Sequence, residues 1–135
     1  MGDGGGHVER LRVAWVDTDA GGRIHFTAAF RYAERAETAL MRELGLVDRL
    51  VDYPRRRVEA DFREVLRFED AIAVAIRPER IGTTSITWAW EISRGGLVCV
   101  DGRHTVVHVG ADGRPAPLPD DVRERLVAVT RDQLA

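Results

Sequence analysis

The apolar residues of the first third of the chain alternate at first and then recur at helical spacing. Residues 8–16 alternate apolar and polar side chains, which predicts a strand. Residues 27–44 repeat apolar side chains every three or four positions, which predicts a helix with Thr27 as N-cap and Gly45 at its C-terminal cap. The apolar stripe of this helix comprises Phe30, Ala33, Ala36, Leu40 and Leu44. Because the stripe is rich in alanine, we expect a sheet to pack tightly against it.

Alternating segments fill most of the remaining chain. They predict four strands, at 55–66, 69–80, 83–94 and 97–110. The links between these segments are short, which favours an antiparallel meander. A final helix is predicted after Pro119, with Asp120 and Asp121 at its positive end. Five strands and one long helix make an α+β arrangement.

Length and composition indicate one domain. We expect a disordered N-terminus at residues 1–7 and a single domain at residues 8–135. The formal net charge of −2 provides no basic field for nucleic acid phosphates. No apolar run approaches the ~20 residues of a membrane span, and the N-terminus lacks the apolar core of a secretory signal. We therefore expect a cytoplasmic protein without nucleic-acid or membrane partners.

The residue types that the chain lacks exclude several kinds of catalytic mechanism. The chain contains no lysine, which excludes Schiff-base chemistry and a phosphate-loop lysine. It also contains no asparagine and a single glutamine, so side-chain amides can hardly supply an oxyanion hole. Cys99 is the only cysteine and lies in an apolar stretch, which favours a buried core thiol. We predict no cofactor and no metal site, so carboxylates and histidines remain for catalysis.

The junction between the first strand and the long helix concentrates the candidate chemistry. The segment DTDAGGRIHF, residues 17–26, places Asp17 and Asp19 before two glycines and the predicted helix. Backbone N–H groups at a helix start lack intrahelical acceptors and could hold a developing oxyanion. The candidate donors are the N–H groups of His25, Phe26 and Thr27. A charged aspartate beside them could attack a carbonyl or activate water. The alternative is that both aspartates only cap the Gly-Gly turn.

The chain resembles the 4-hydroxybenzoyl-CoA thioesterase family of hotdog-fold proteins over about residues 8–130. The resemblance rests on VxWxDTDAGGRIHF, the helical AExAE, the strand pair RIGTTSITWAWEI and the closing VVHVGADGRPAPLP. It implies a hotdog fold, in which a curved antiparallel sheet of about five strands wraps around one long central helix. It also implies an edge-to-edge homodimer and leaves open whether two dimers pair further into a tetramer. Active sites at that interface would hydrolyse acyl thioesters of coenzyme A or an acyl carrier protein.

The resemblance also implies roles for individual residues. It maps the nucleophile or general base onto Asp19 and the donor that polarises the thioester carbonyl onto the backbone N–H of Phe26. Many family members carry a histidine at the position of Phe26, whereas His25 precedes it and is either site-lining or structural. The predicted substrate-binding residues are Gly22 and Thr27 at the junction, and Arg80, Gly82 and Thr83 near the nucleotide end of coenzyme A. A hotdog hydratase or dehydratase and a non-catalytic acyl-binding protein are the alternative functions.

Two further groups of titratable residues have plainer interpretations. Glu34 and Glu37 are predicted to lie on the helix surface, solvated or paired with arginines at helical spacing. His104 and His108 are four residues apart on one strand, a separation of ~13 Å that is too long for a shared metal. We predict that they are structural histidines with satisfied hydrogen bonds.

Overall fold

The structure is a computed structural model that describes residues 6–134. The strands in this range are β1 (His7–Arg12), β2 (Arg55–Phe62), β3 (Ala71–Ile81), β4 (Ser85–Arg94) and β5 (Leu97–Val107). The α-helices in this range are α1 (Phe26–Glu43) and α2 (Asp120–Leu134), and short 3-10 helices cover Trp15–Asp17 and Val47–Asp52. β1 begins at His7, so the predicted start of the folded domain is one residue late. The rest of the predicted disordered segment, residues 1–5, lies outside the described residues.

Within residues 6–134 the five strands form one antiparallel sheet in the order β1-β3-β4-β5-β2. The meander of β3, β4 and β5 agrees with the sequence analysis. β2 does not pair with β3, however, but lies beside β5 at the opposite edge, so the predicted four-strand meander is wrong at β2. β2 ends at Phe62, and residues 63–70 form a link too long for a tight hairpin. This link lets the chain cross from edge strand β2 past β5 and β4 to β3. It passes beside the start of α1, where the Ile24 N–H donates to the Leu66 carbonyl at 2.9 Å.

The core lies between α1 and one face of the sheet. Ala29, Ala33 and Ala36 are completely buried, which confirms that the alanine-rich stripe packs on the sheet. Trp88 and Trp90 of β4 are also buried in this core. Small side chains on the helix therefore leave room for large ones on the strands.

The ends of α1 differ in how well the sequence predicted them. The N-cap is His25, and Thr27 lies inside the first turn, so the predicted N-cap is wrong by two residues. Thr27 still contributes to the cap, because its N–H donates to His25 Nδ1 at 3.3 Å. At the other end Gly45 adopts a φ of +73° directly after the C-cap Leu44, which matches the expected glycine termination.

A buried charged cluster joins α1 to β2 and β5. Glu37 is 2% exposed and accepts hydrogen bonds from Arg55 at 2.7 Å and from His104 Nε2 at 3.1 Å. The prediction that Glu37 lies on the helix surface is therefore wrong, and its arginine partner comes from β2 instead of from α1. Glu34 is exposed, as expected. His104 is a structural histidine with a satisfied hydrogen bond, also as expected.

Among residues 6–134, neither helix combines the length and apolar composition that a membrane span requires.

Candidate active site

A tight loop at residues 18–24 brings Asp19 to the start of α1. Its end residues form an isolated antiparallel bridge, and the Asp19 N–H donates to the Arg23 carbonyl at 2.8 Å. The Gly22 N–H donates to the Asp19 carbonyl at 3.1 Å, and Gly22 has a φ of +80°, a region that favours glycine. These contacts explain why the loop needs glycine at position 22.

The Asp19 side chain is exposed and uses one of its two oxygens within the loop. Oδ1 accepts a hydrogen bond from the Gly21 N–H at 2.8 Å. Oδ2 makes no hydrogen bond to any residue that the structure describes. The turn-capping role considered in the sequence analysis is therefore present, but it leaves one carboxylate oxygen accessible to a substrate.

Asp17 takes a different part in the junction. Its side chain is 16% exposed and accepts hydrogen bonds from the Tyr32 hydroxyl at 2.9 Å and from Arg31 at 3.3 Å. Its backbone carbonyl accepts the His25 N–H at 2.8 Å. Asp17 thus binds to the first two turns of α1 and does not cap the Gly-Gly turn, contrary to the turn-capping alternative.

Most N–H groups at the start of α1 already have acceptors. The His25 N–H donates to the Asp17 carbonyl, and the Thr27 N–H donates to His25 Nδ1. The Ala28 N–H donates to the His25 carbonyl at 2.8 Å. The Phe26 N–H, between them, has no acceptor among residues 6–134. Of the three donors considered from the sequence, it is the one left free for a substrate oxygen.

The His25 ring is exposed and lies against the ring of Phe26, with centroids 4.8 Å apart and planes inclined by 30°. Nδ1 lies 2.8 Å from the Thr27 hydroxyl and also accepts the Thr27 N–H. A single tautomer satisfies both contacts, namely the one with its proton on Nε2. His25 therefore has a structural role as the N-cap, and its exposed ring also lines the junction.

Arg80, Gly82 and Thr83 lie at the far end of β3 and its turn into β4. The Gly82 N–H donates to the Ser85 carbonyl at 2.8 Å, so it is used inside the turn. Arg123 of α2 donates to the Gly82 carbonyl at 2.7 Å. Arg80 is exposed and lines a cleft of about 380 Å³, together with Arg56, Arg57 and Arg103.

The two groups of predicted site residues are not brought together within one chain. The junction contacts the segment before β3, through the bridge between Arg23 and Arg67, whereas the Arg80 group lies at the end of β3. The 11 residues of β3 span roughly 36 Å at ~3.3 Å per residue. One subunit alone therefore does not place both groups around a single reaction centre.

Exposed apolar side chains surround the junction. Trp15 is 70% exposed and Phe68 is 45% exposed, and their rings meet edge to face at a centroid distance of 5.3 Å. Alternation predicts Trp15 in the first strand, but β1 ends at Arg12 and Trp15 lies in a 3-10 helix. An apolar cavity of about 260 Å³ adjoins Ile24; its other apolar lining residues are Phe62, Val65, Leu66 and Val100. In the sequence, the consecutive apolar residues Trp15 and Val16 break the alternation and could have indicated these exposed apolar side chains.

Comparison with known proteins agrees with the fold. A sequence profile of the thioesterase-like superfamily matches residues 13–126. The 1,4-dihydroxy-2-naphthoyl-CoA hydrolase of Synechococcus sp. (strain RCC307) is 29% identical over 124 residues, which cover 83% of this chain and 94% of that protein.

Solved structures give the same result. A predicted thioesterase from Bacillus stearothermophilus is 29% identical, with a TM-score of 0.82 over 90% of this chain and 94% of that chain. A Thermus thermophilus thioesterase complexed with coenzyme A and Zn is 24% identical and superposes with a TM-score of 0.87 over 96% of both chains, a likeness that shows the fold. The chain therefore belongs to the thioesterase-like superfamily, as a hotdog-fold protein of the kind its sequence resembles, and it is a thioester hydrolase.

Proposed function

We propose that this thioesterase hydrolyses an aromatic acyl-CoA and that 1,4-dihydroxy-2-naphthoyl-CoA is the first substrate to test. The Synechococcus relative, which is named for this substrate, supports the aromatic acyl group. The exposed rings of Trp15, Phe26 and Phe68 at the junction also support it. A ring-to-ring contact contributes ~0.5–1.5 kcal/mol beyond the burial of its surface, so such a surface favours an aromatic acyl group over an aliphatic one.

The free N–H of Phe26, seven residues after the exposed Asp19 carboxylate in the same strand-to-helix junction, is the observation that carries this proposal. During thioester hydrolysis the carbonyl oxygen becomes negative in the tetrahedral transition state. The Phe26 N–H stands at the positive end of an 18-residue helix, where partial positive charge stabilises that oxygen. One such donor contributes ~2.7–4 kcal/mol to transition-state stabilisation.

The Asp19 carboxylate supplies the second element of the mechanism by one of two routes. In the first, Oδ2 attacks the thioester carbon, the C–S bond breaks, and coenzyme A leaves as a thiolate that takes a proton from water. A second water then hydrolyses the resulting anhydride. In the second route, Asp19 removes a proton from a water molecule that attacks the thioester carbon directly, the C–S bond breaks, and the coenzyme A thiolate takes that proton from Asp19. Both routes yield the free acid and coenzyme A.

A second subunit would complete the site. β2 is an edge strand that pairs with β5 on one side, and no strand within residues 6–134 covers its other side. An antiparallel contact between two copies of β2 centred on Val58 would place Arg57 opposite Glu59 and Arg55 opposite Asp61, which pairs opposite charges. We therefore include a homodimer in the proposal, because only a second copy could bring an Arg80 group to the junction. Light scattering that finds a fully active monomer would contradict this part.

Asp19→Asn tests the mechanism directly. Asparagine keeps the oxygen that accepts the Gly21 N–H, so the loop should persist while the charge is lost. We expect release of free thiol from 1,4-dihydroxy-2-naphthoyl-CoA to fall by about a thousandfold or more. Asp112→Asn is the matched control, because Asp112 Oδ1 accepts the Arg114 N–H at 3.0 Å in a similar turn outside the junction. Turnover of Asp19→Asn equal to that of wild type would remove Asp19 from the mechanism.

A panel of acyl-CoA substrates tests the acyl group. We expect faster thiol release from 1,4-dihydroxy-2-naphthoyl-CoA and benzoyl-CoA than from aliphatic acyl-CoA of similar size. Faster release from the aliphatic substrates would contradict the aromatic preference but leave thioester hydrolysis intact. The same panel tests the alternatives from the sequence, since hydration of an enoyl-CoA without thiol release would indicate a hydratase.

A further inference from the structure

The Asp17 carboxylate accepts two hydrogen bonds from α1, one from the buried Tyr32 and one from the partly exposed Arg31. Tyr32 is 2% exposed and donates its hydroxyl to Oδ2. Burial and the hydrogen bond to Asp17 raise the pKa of Tyr32, so the phenol remains a donor over the whole physiological range. Arg31 donates to Oδ1 from the preceding position of the helix. Asp17 is therefore attached to the helix through its second turn.

Arg31 extends this attachment to the first turn. Its second terminal nitrogen donates to the Thr27 hydroxyl at 3.0 Å, and that hydroxyl contacts His25 Nδ1. The His25 N–H returns to the Asp17 carbonyl. The contacts form a closed ring of four residues, Asp17, Arg31, Thr27 and His25, around the start of α1.

The contacts of this ring and a backbone hydrogen bond from Ala28 together set the direction of the Phe26 N–H. The Phe26 N–H belongs to the same planar trans peptide as the His25 carbonyl, so the two groups point in opposite directions. The His25 carbonyl is fixed by the Ala28 N–H, and the backbone on either side is fixed by the bonds of His25 and Thr27. The free donor is thereby held pointing away from the helix.

We propose that Asp17 is a positioning residue for the thioester hydrolysis proposed above, on which this inference rests. It acts through Tyr32 and Arg31, which hold the first turn of α1 so that the Phe26 N–H meets the carbonyl oxygen in the transition state. Asp17 itself does not contact the substrate. Both of its carboxylate oxygens accept hydrogen bonds from α1, so Asp19 is the aspartate that acts on the thioester.

The experiment compares Asp17→Ala, Asp17→Asn and Tyr32→Phe with wild type, using 1,4-dihydroxy-2-naphthoyl-CoA as substrate. We expect Asp17→Ala to lower kcat by up to about 100-fold, the loss typical of a displacement of about 1 Å in a reacting group. KM should stay within about threefold, because the oxyanion contact strengthens only in the transition state. Tyr32→Phe removes one of the two bonds and should lower kcat by about tenfold. Asp17→Asn keeps one acceptor oxygen and should lie between wild type and Asp17→Ala.

Asp121→Ala is the control, because Asp121 also pairs with an arginine, Arg49, at the start of the other helix. It should melt at a lower temperature but keep the wild-type kcat. Every rate is divided by the folded fraction from circular dichroism at the assay temperature, so a purely structural role for Asp17 would leave kcat unchanged. Unchanged kcat, or a rise in KM alone, would overturn the positioning role.

Tyr32→Phe decides the question if Asp17→Ala fails to fold, because it removes a single hydroxyl and no charge. A kcat within twofold of wild type in that variant would then overturn the inference. The inference and the proposed function fail in different ways. An active Asp19→Asn variant counts against the proposed mechanism, whereas an inactive Asp19→Asn with a fully active Asp17→Ala counts against the positioning role alone.

Discussion

Glu37→Gln removes one charge from the protein interior and keeps the shape of the side chain. The carboxylate is 2% exposed and accepts hydrogen bonds from Arg55 and His104. Glutamine can still accept both bonds through its amide oxygen, so the substitution creates no cavity. The change in stability therefore measures the value of the charge.

The magnitude follows from the surroundings of the pair. Removing one partner of a fully buried ion pair costs ~3–5 kcal/mol, because the other charge is left in the interior. The Arg55 side chain is 30% exposed, so it can still be hydrated when Glu37 is neutral. The two hydrogen bonds survive but lose their charged acceptor, and bonds to charged groups are worth ~1.5–3 kcal/mol against ~1 kcal/mol for neutral ones. We expect Glu37→Gln to lower the free energy of unfolding by about 2 kcal/mol at neutral pH.

The pH dependence has a definite sign. Burial raises the pKa of the Glu37 carboxyl, but the hydrogen bonds and charges of His104 and Arg55 outweigh burial and hold that pKa below its ordinary value of 4.5. A carboxyl with a lowered pKa in the folded state stabilises the protein above the unfolded-state pKa and loses that contribution as pH falls through the folded-state pKa. The difference between wild type and Glu37→Gln should therefore be complete at neutral pH and shrink below pH 4.5.

Urea unfolding followed by tryptophan fluorescence measures the difference, since Trp88 and Trp90 are buried and become exposed on unfolding. With a urea slope of ~2 kcal/mol per M, the expected loss moves the midpoint by about 1 M. The control is Glu34→Gln: the Glu34 side chain is 65% exposed and lies 3.7 Å from Arg55. This control should change stability by less than about 0.5 kcal/mol. A Glu37→Gln variant as stable as the control, or a difference that stays constant below pH 4.5, would refute the reasoning.

Two further predictions concern buried positions. A Cβ on Gly102 would lie 2.4 Å from the Glu59 carbonyl oxygen and 2.5 Å from the ring of Trp90. Gly102→Ala should therefore lower the free energy of unfolding by ~1–3 kcal/mol or more, as measured by thermal unfolding. Gly110→Ala is its control, since the nearest atom there is 3.4 Å away, and a control as unstable as Gly102→Ala would contradict the prediction. Cys99 is completely buried, and burial raises the pKa of its thiol. Iodoacetamide should therefore modify it far more slowly in the native protein than in urea, and equally fast modification in both would show that the thiol is accessible.

The parts of the fold that the sequence predicted correctly are those that local periodicity controls. The stripe of α1 and the alternation in β3 and in most of β4 each report one buried face, and short turns force β3, β4 and β5 to pair with their neighbours along the chain. The position of β2 depends instead on where residues 63–70 cross, and no local pattern encodes that crossing. Alternation in β2 is equally compatible with β3 or β5 as the neighbouring strand.

Glu37 shows a similar limit on predicting burial. It lies four residues after Ala33 and three before Leu40, so helical spacing alone places it on the buried face. A charge on that face is unfavourable unless it is paired. The two partners, Arg55 and His104, are 18 and 67 residues away along the chain, and only the folded sheet brings them to the helix.

The two aspartates of the junction show both a local sequence pattern and an effect of partners that are distant along the chain. Asp17 and Asp19 have nearly the same local context, and in the sequence only the family resemblance distinguishes the role of Asp19 from that of Asp17. Tyr32 and Arg31, 15 and 14 residues after Asp17, bind the first carboxylate and turn it toward α1. The second carboxylate keeps one oxygen without a hydrogen bond to any residue that the structure describes, so of the two aspartates Asp19 is the one with an oxygen available to a substrate.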